Sequence, residues 1–279
     1  MEQVIPIETL HLFPVLDKLL LELLASLSAE DWHKPTVAKL WNVKDVAAHL
    51  LDVSGRNIAF LHHYQNNEPP LQINSYQNLV VFLNELNAVW VKAMKRVSPQ
   101  LLIEQLENAL PQHLKYLQSL DPWAPSMFSV AWAGEEASLN WFHIAREYTE
   151  KWHHQQQIRD AVGKPGLITK ELFYPLIDTF MYALPNTYRN TPARVGTVIK
   201  FTVGTEAGGD WFLKRATNKW ELLKGLSPEK IDASVTLDPD TAWKLFTKAV
   251  SPEVGMTASV TRGDIILVNP MFNMVAVMA

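Results

Sequence analysis

Glu150 and His154 are spaced as metal ligands. They lie four residues apart in residues 139–162, a stretch that no Gly or Pro interrupts before Gly163. If that stretch is a helix, i and i+4 share a face. A carboxylate and an imidazole then project side by side, about one turn apart, as in other helical motifs that bind a divalent ion. Two ligands do not complete a site, and the candidate third is His49, within Trp41-Asn42-Val43-Lys44-Asp45-Val46-Ala47-Ala48-His49-Leu50. The competing reading is that the Glu–His pair faces water on an ordinary amphipathic helix and that His49 is a histidine at the edge of a core.

Two imidazoles and one carboxylate leave open coordination positions, which is the pattern of a catalytic zinc site and not of a structural one. Zinc suits these ligands best, and nickel, manganese and iron also accept imidazole and carboxylate. A bound water or thiol loses its proton more readily at such an ion. His153 sits at i+3 from Glu150 and competes with His154 as ligand, while Glu147 and His143 share the ligand face as supporting groups or as solvated ones.

The elements that must position these groups are legible from period and punctuation. Ser138 is a plausible N-cap for the helix at 139–162. Its apolar stripe, Trp141, Ile144, Ala145, Tyr148 and Trp152, runs nearly opposite Glu150 and His154. A metal site therefore needs protein on both faces, with the helix of His49 on the polar side. That second helix is capped by Asn42 and runs toward His62. Further helices are expected at 15–27 (broken before by Pro14), at 76–97 and at 99–120, where Pro111 should break or kink the helix. Glu68-Pro69-Pro70 marks a loop, and 121–136 is a long connection carrying Trp123, Phe128 and Trp132. These segments make a helix bundle.

Gly163-Lys164-Pro165-Gly166 reads as a boundary between a domain at 1–163 and one at 167–279. Beyond a helix at 170–183, strands are expected at 198–203, 211–215, 219–223 and 233–237, and a helix follows Asp238-Pro239-Asp240. Residues 258–261 and 264–268 suit strands, and 270–278 a short apolar helix. This half is α+β.

Composition narrows the function classes. The 279 residues are 48% hydrophobic and 10% aromatic, with a net charge of -4 and no block of like charge. A nucleic-acid surface would need a basic stripe. The absence of Cys excludes disulfides and thiolate ligands, so any thiol chemistry uses a thiol from outside the chain. Met1 to Pro6 lacks the basic region of a secretory signal, and no apolar run reaches the roughly 18 residues of a spanning helix. A soluble cytoplasmic protein is expected.

The segment 41–50 resembles the signature of the DinB-like family, in particular its mycothiol-dependent maleylpyruvate isomerase branch: a tryptophan, a short polar turn, and a helix with a His-Leu pair. Glu150 and His154 resemble the second signature, near the end of a late helix. The resemblance implies a DinB-like four-helix bundle with His49, Glu150 and His154 as metal ligands. Residues 233–237, the helix at 240–249 and Arg262-Gly263-Asp264 are similar, more weakly, to the sterol-carrier-like domain that follows the bundle in that branch. The implied cosubstrate is a low-molecular-weight thiol. Its thiolate would add to an activated double bond, allow rotation and leave, isomerising a maleylpyruvate-like acid; if it stayed attached, the enzyme would be an S-transferase. Arg56 and Arg146 are candidates for binding substrate carboxylates, since Arg makes bidentate contacts with them. Two other classes remain open. One is a non-catalytic module whose sterol-carrier-like half (Trp211, Phe212, Trp220, Trp243, Phe246) holds an apolar ligand. The other is a metal-dependent hydrolase.

Overall fold

The computed structural model describes residues 6–62, 64, 75–225 and 227–278. The expected loop at Glu68-Pro69-Pro70, and Met1 to Ile5, lie outside them. Terminal residues aside, the chain divides into one compact unit of residues 8–127 and 139–166, and a second of 128–138 and 167–277.

The first unit is helical: α1 (Phe13–Ala25), α2 (Val43–Leu61), α3 (Tyr76–Met94), α4 (Pro99–Ser119) and α5 (Asn140–Val162). α2 is its axis, packing on α3, α4 and α5, while α1 lies against α4 and α5. Leu20, Leu24, Val46, Leu102, Leu106, Leu110 and Ile158 meet in one core cluster. The start of α2 is fixed by a reciprocal capping box. The Asp45 N–H donates to Asn42 Oδ1 at 2.9 Å, and the Asn42 N–H donates to Asp45 Oδ2 at 3.3 Å. This sets the helix phase two turns before His49.

Three local expectations are corrected here. Pro14 lies in the first turn of α1, where its missing N–H has no helical partner to lose, so the helix starts earlier, at Phe13. α4 continues through Pro111. An interior proline costs about 3 kcal/mol, and the fully buried Leu102, Leu106, Leu110 and Leu117 offset that by packing on both sides of it. Ser138 does not cap α5: Leu139 is the N-cap, without a side-chain bond. The Ser138 hydroxyl instead accepts from the Val130 N–H at 2.8 Å and donates to Glu135.

The second unit is α+β. Its sheet has the order β3-β2-β1-β4-β5. Here β1 is Val198–Val203, β2 Gly209–Arg215, β3 Trp220–Leu223, β4 Ala233–Leu237 and β5 Val260–Arg262. β1 and β4 are parallel and the other pairs antiparallel. Alternation sorts the faces: Ile199, Phe201 and Val203 are buried, and Lys200 and Thr202 are not. Helices α6 (Lys170–Met181) and α7 (Pro239–Phe246) contribute Phe180 and Phe246, whose rings meet edge to face at 6.5 Å. Trp132, from the long connection, packs against Phe180 in the same unit at 6.4 Å. Residues 264–268 are not a strand. Gly263 turns the chain with φ +92°, and Asp264 then caps a short helix, Ile265–Val268, by accepting from the Ile266 N–H at 2.9 Å. The apolar end forms only a 3-10 turn, Asn269–Asn273.

Candidate metal centre

α5 is polar in composition and buried along nearly its whole length. Trp141, Tyr148 and Trp152 are buried on one side, with Tyr148 against Phe13 of α1 at 6.0 Å between ring centroids. On the other side α2 supplies the cover, so the helix has protein on both faces. His49 and His154 are buried and Glu150 is nearly so. One ligand atom from each of these three side chains lies within 4.8 Å of the others. Donors bound to one ion at about 2.0–2.2 Å sit closer together than that, so the three side chains would draw together on an ion.

The electrostatics of the cluster suit a cation. His154 Nδ1–H donates to Gln157 Oε1 at 2.9 Å, and its Nε2 faces Glu150 Oε2 at 3.5 Å. Either a proton on Nε2 or a cation between the two atoms can bridge them. His49 Nδ1 is buried with no hydrogen-bond partner among the described residues. Burial, then the adjacent His154, holds His49 well below the ordinary imidazole range, with Glu150 pulling the other way. Neutral imidazole is the form that ligates a metal. Burial alone would raise Glu150; a hydrogen bond from His154 and the charges of His153, His154 and Arg146 outweigh it and keep the carboxyl ionised. Trp41 lies against His49, ring centroids 4.8 Å apart, and near His154 at 6.1 Å. His153 stands outside the three-residue cluster: its Nδ1–H donates to the Thr149 carbonyl of its own helix at 2.8 Å.

A family model for the mycothiol maleylpyruvate isomerase N-terminal domain matches residues 15–159, just over half of the chain, and so takes in all three clustered residues. The chain belongs to this family. Its fold is that of a solved member, "the mycothiol-dependent maleylpyruvate isomerase". That crystal structure aligns at a TM-score of 0.55 with 11% identity, over 94% of this chain and 95% of its own. A histidine-to-alanine variant of the enzyme aligns at 0.55 with 10% identity over the same shares. A sterol carrier protein 2 like 2 structure from Aedes aegypti aligns with 36% of this chain and 95% of its own, at 17% identity and a TM-score of 0.26. No curated protein matched the chain.

Within this family member, a second buried polar network adjoins the first, one turn back along α5. Arg146 Nη2 donates to Glu147 Oε1 and also to His143 Nδ1, the latter at 3.2 Å. Glu147 Oε2 accepts from Asn57 Nδ2 at 3.3 Å and faces His113 Nε2 at 3.7 Å. The Ser54 hydroxyl donates to the Leu50 carbonyl at 3.0 Å, so His113 Nδ1, 3.3 Å from Ser54 Oγ, is the proton donor of that pair. Burial pushes His113 down to about 3 and His143 to about 4. Burial opposes ionisation of Glu147 too, but Arg146, His143 and His113 hold it low. The sequence singled out Glu147 and His143 as facing the site; it missed His113, Asn57 and Gln157. Gln157 was detectable, at i+3 from His154 on the same helix.

The two predicted arginines differ in setting. Arg56 is about one-third exposed, pairs with Asp52 at 3.2 Å and donates to Asn87 Oδ1 at 3.4 Å. Arg146 is more enclosed and engaged by Glu147 and His143. Among the described residues no helix is long and apolar enough to cross a membrane.

Proposed function

We propose that this chain is a divalent-metal-dependent enzyme that activates a low-molecular-weight thiol and isomerises, or transfers the thiol to, a small unsaturated acid of the maleylpyruvate type. The reading is carried by the convergence of His49, Glu150 and His154 from two helices, inside the segment that the family model covers. The likeness to a mycothiol-dependent maleylpyruvate isomerase supports the same class of chemistry. His49, Glu150 and His154 would hold the ion, zinc being favoured by the donor set. When bound, the ion would lower the pKa of a coordinated thiol. Gln157 accepts from His154 Nδ1–H, which would leave Nε2 as the ring's ligand atom. Trp41 shields the imidazoles from water on one side. Arg56, with a third of its side chain open to solvent, is the first candidate for a substrate carboxylate. Arg146 is the second, and could bind one only by giving up its contacts to Glu147 or His143. In this reading residues 1–163 form the catalytic domain and 167–279 the sterol-carrier-like one.

The test is metal analysis of the purified protein, followed by turnover of maleylpyruvate with mycothiol and with other small thiols. About one divalent ion per chain and thiol-dependent isomerisation lost on chelation are expected. Turnover without any thiol would instead favour the hydrolase reading. Apolar-ligand binding that is indifferent to metal, with no turnover, would favour the binding module.

A further inference from the structure

Arg146 stands at i−4 from Glu150, and residues at that spacing share a helix face. An Arg–Glu pair so placed is within ion-pairing reach, if in the less favourable order of the two. Here none joins them among the described residues. The guanidinium turns instead to Glu147 and to His143. Glu147 is itself held from α2, by Asn57 at 3.3 Å, and is fully enclosed, with His113 of α4 on its far side. An enclosed guanidinium cannot stay unpaired, because desolvating a charge without a partner is costly. Two carboxylates are within its reach along α5, and only one of them belongs to the three-residue cluster.

We infer that Glu147 is a positioning residue that sequesters Arg146, so that the Glu150 carboxylate is left free as a metal ligand. The inference rests on the metal reading above. A guanidinium bonded to Glu150 would occupy the oxygens an ion needs and would place a positive charge beside it. The network around Glu147 has the parts this task requires. It has an anion to satisfy Arg146, an amide from a second helix to fix that anion, and a neutral His143 to take a further guanidinium N–H.

The test is cobalt(II) binding to the full chain, read by affinity and by the visible ligand-field spectrum, with zinc competition. The wild type should bind one cobalt, and His154→Ala should lose it; if the wild type binds none, the metal reading itself fails. Given wild-type binding, Glu147→Gln should weaken affinity roughly 10–100-fold, the range for residues that orient ligands. It should also change the spectrum, because a carboxylate ligand is withdrawn. Arg146→Gln alone should bind as wild type or better. The double variant Arg146→Gln/Glu147→Gln has no unpaired buried charge to unfold it, and should recover both affinity and spectrum. A purely long-range charge effect would weaken binding in Glu147→Gln with an unchanged spectrum, and that result overturns the inference. So does wild-type behaviour of Glu147→Gln, or a double variant whose spectrum stays altered.

Discussion

The two units bury different things. Among the described residues, the sheet-containing unit buries few polar side chains, Ser138, Thr179 and Thr247, all hydroxyls. Thr179 and Thr247 simply donate to the Pro175 and Trp243 carbonyls one turn back, at 2.7 and 2.8 Å. The helical unit buries carboxylates, imidazoles, amides and Lys151, most of them on α5 and the rest on α1, α2, α3 and α4. Burying charges is unfavourable unless each is paired, and packing alone does not require it, as the sheet unit demonstrates with an apolar interior. The excess polarity of the bundle is therefore what a functional site would cost in stability, and variants in the two units should separate.

The largest contrast is expected at the ligands. His154→Ala should weaken metal binding by more than the roughly 10–100-fold typical of supporting residues, because one of three donors is gone. His153→Ala, next in sequence, should keep the metal, since His153 stands outside the three-residue cluster. Metal content by atomic emission after dialysis reads both. If His153→Ala loses the ion and His154→Ala keeps it, the ligand assignment is wrong.

Packing variants should be alike in the two units for stability and unlike for metal. Trp152 and Trp243 are both fully buried. Each truncated to Ala should destabilise by about 3–5 kcal/mol, seen as a lower denaturation midpoint. Only Trp152→Ala, on the ligand helix, should also reduce metal occupancy. Equal metal loss from Trp243→Ala would remove the distinction between the units.

Acid should act on the bundle first. His113 and His143 are held at about 3 and about 4 in the folded chain, below the ordinary value near 6.5. Between those values the unfolded chain binds more protons than the folded one, so stability falls as pH falls through that window and is unaffected above it. Denaturation of the metal-free protein from pH 7.5 to about 4 should show this slope. His113→Asn should flatten it by one proton's worth. An unchanged slope would mean that His113 is protonated in the folded protein.

How much of this was readable in advance depended on whether a residue's role was local. The strands at 198–203 and 233–237, the Asn42 and Asp238 caps and the α5 stop at Gly163 follow from period, capping and glycine chemistry, and they stand as read. The clustered trio was legible because two members share a helix face and the third sits in a recognisable motif. What was not legible was tertiary. Pro111 continues its helix because packed leucines on both sides outweigh one missing bond. Ser138 leaves its capping role because Glu135 and Val130 claim its hydroxyl. The short helix Ile265–Val268 has the apolar composition of a strand, and only its Asp264 cap says otherwise. His113 and Asn57 carry no signal of spacing relative to Glu147, which lies on another helix.

The smallest stability effect and the most specific functional one are expected together at Arg56. Its charge is paired with Asp52 one turn earlier on α2, but the guanidinium is a third exposed, where an ion pair contributes only about 0–1 kcal/mol. Arg56→Gln should therefore lower the denaturation midpoint only slightly, the buried Asp52 carboxyl taking up a proton in place of its lost partner. Burial raises Asp52 above the usual carboxylate value and Arg56 pulls it down. Without the arginine Asp52 should titrate higher still, a shift that carbon-13 carboxyl NMR can follow. Arg56 also lies close enough to His49 to depress its basicity, so it is near the cluster without belonging to it. A residue so placed, open to solvent and offering a planar pair of donors, fits a carboxylate of the incoming acid. If that is its role, the substrate loses binding energy and the chemistry does not. KM for maleylpyruvate should rise while kcat and metal content hold, the pattern of a lost ground-state contact. Arg56→Lys should recover only part of the loss, since an ammonium cannot reproduce the bidentate contact. A fall in kcat at unchanged KM would instead place Arg56 among the groups that stabilise the transition state. An unchanged KM and kcat would leave it as the charge partner of Asp52 and nothing more.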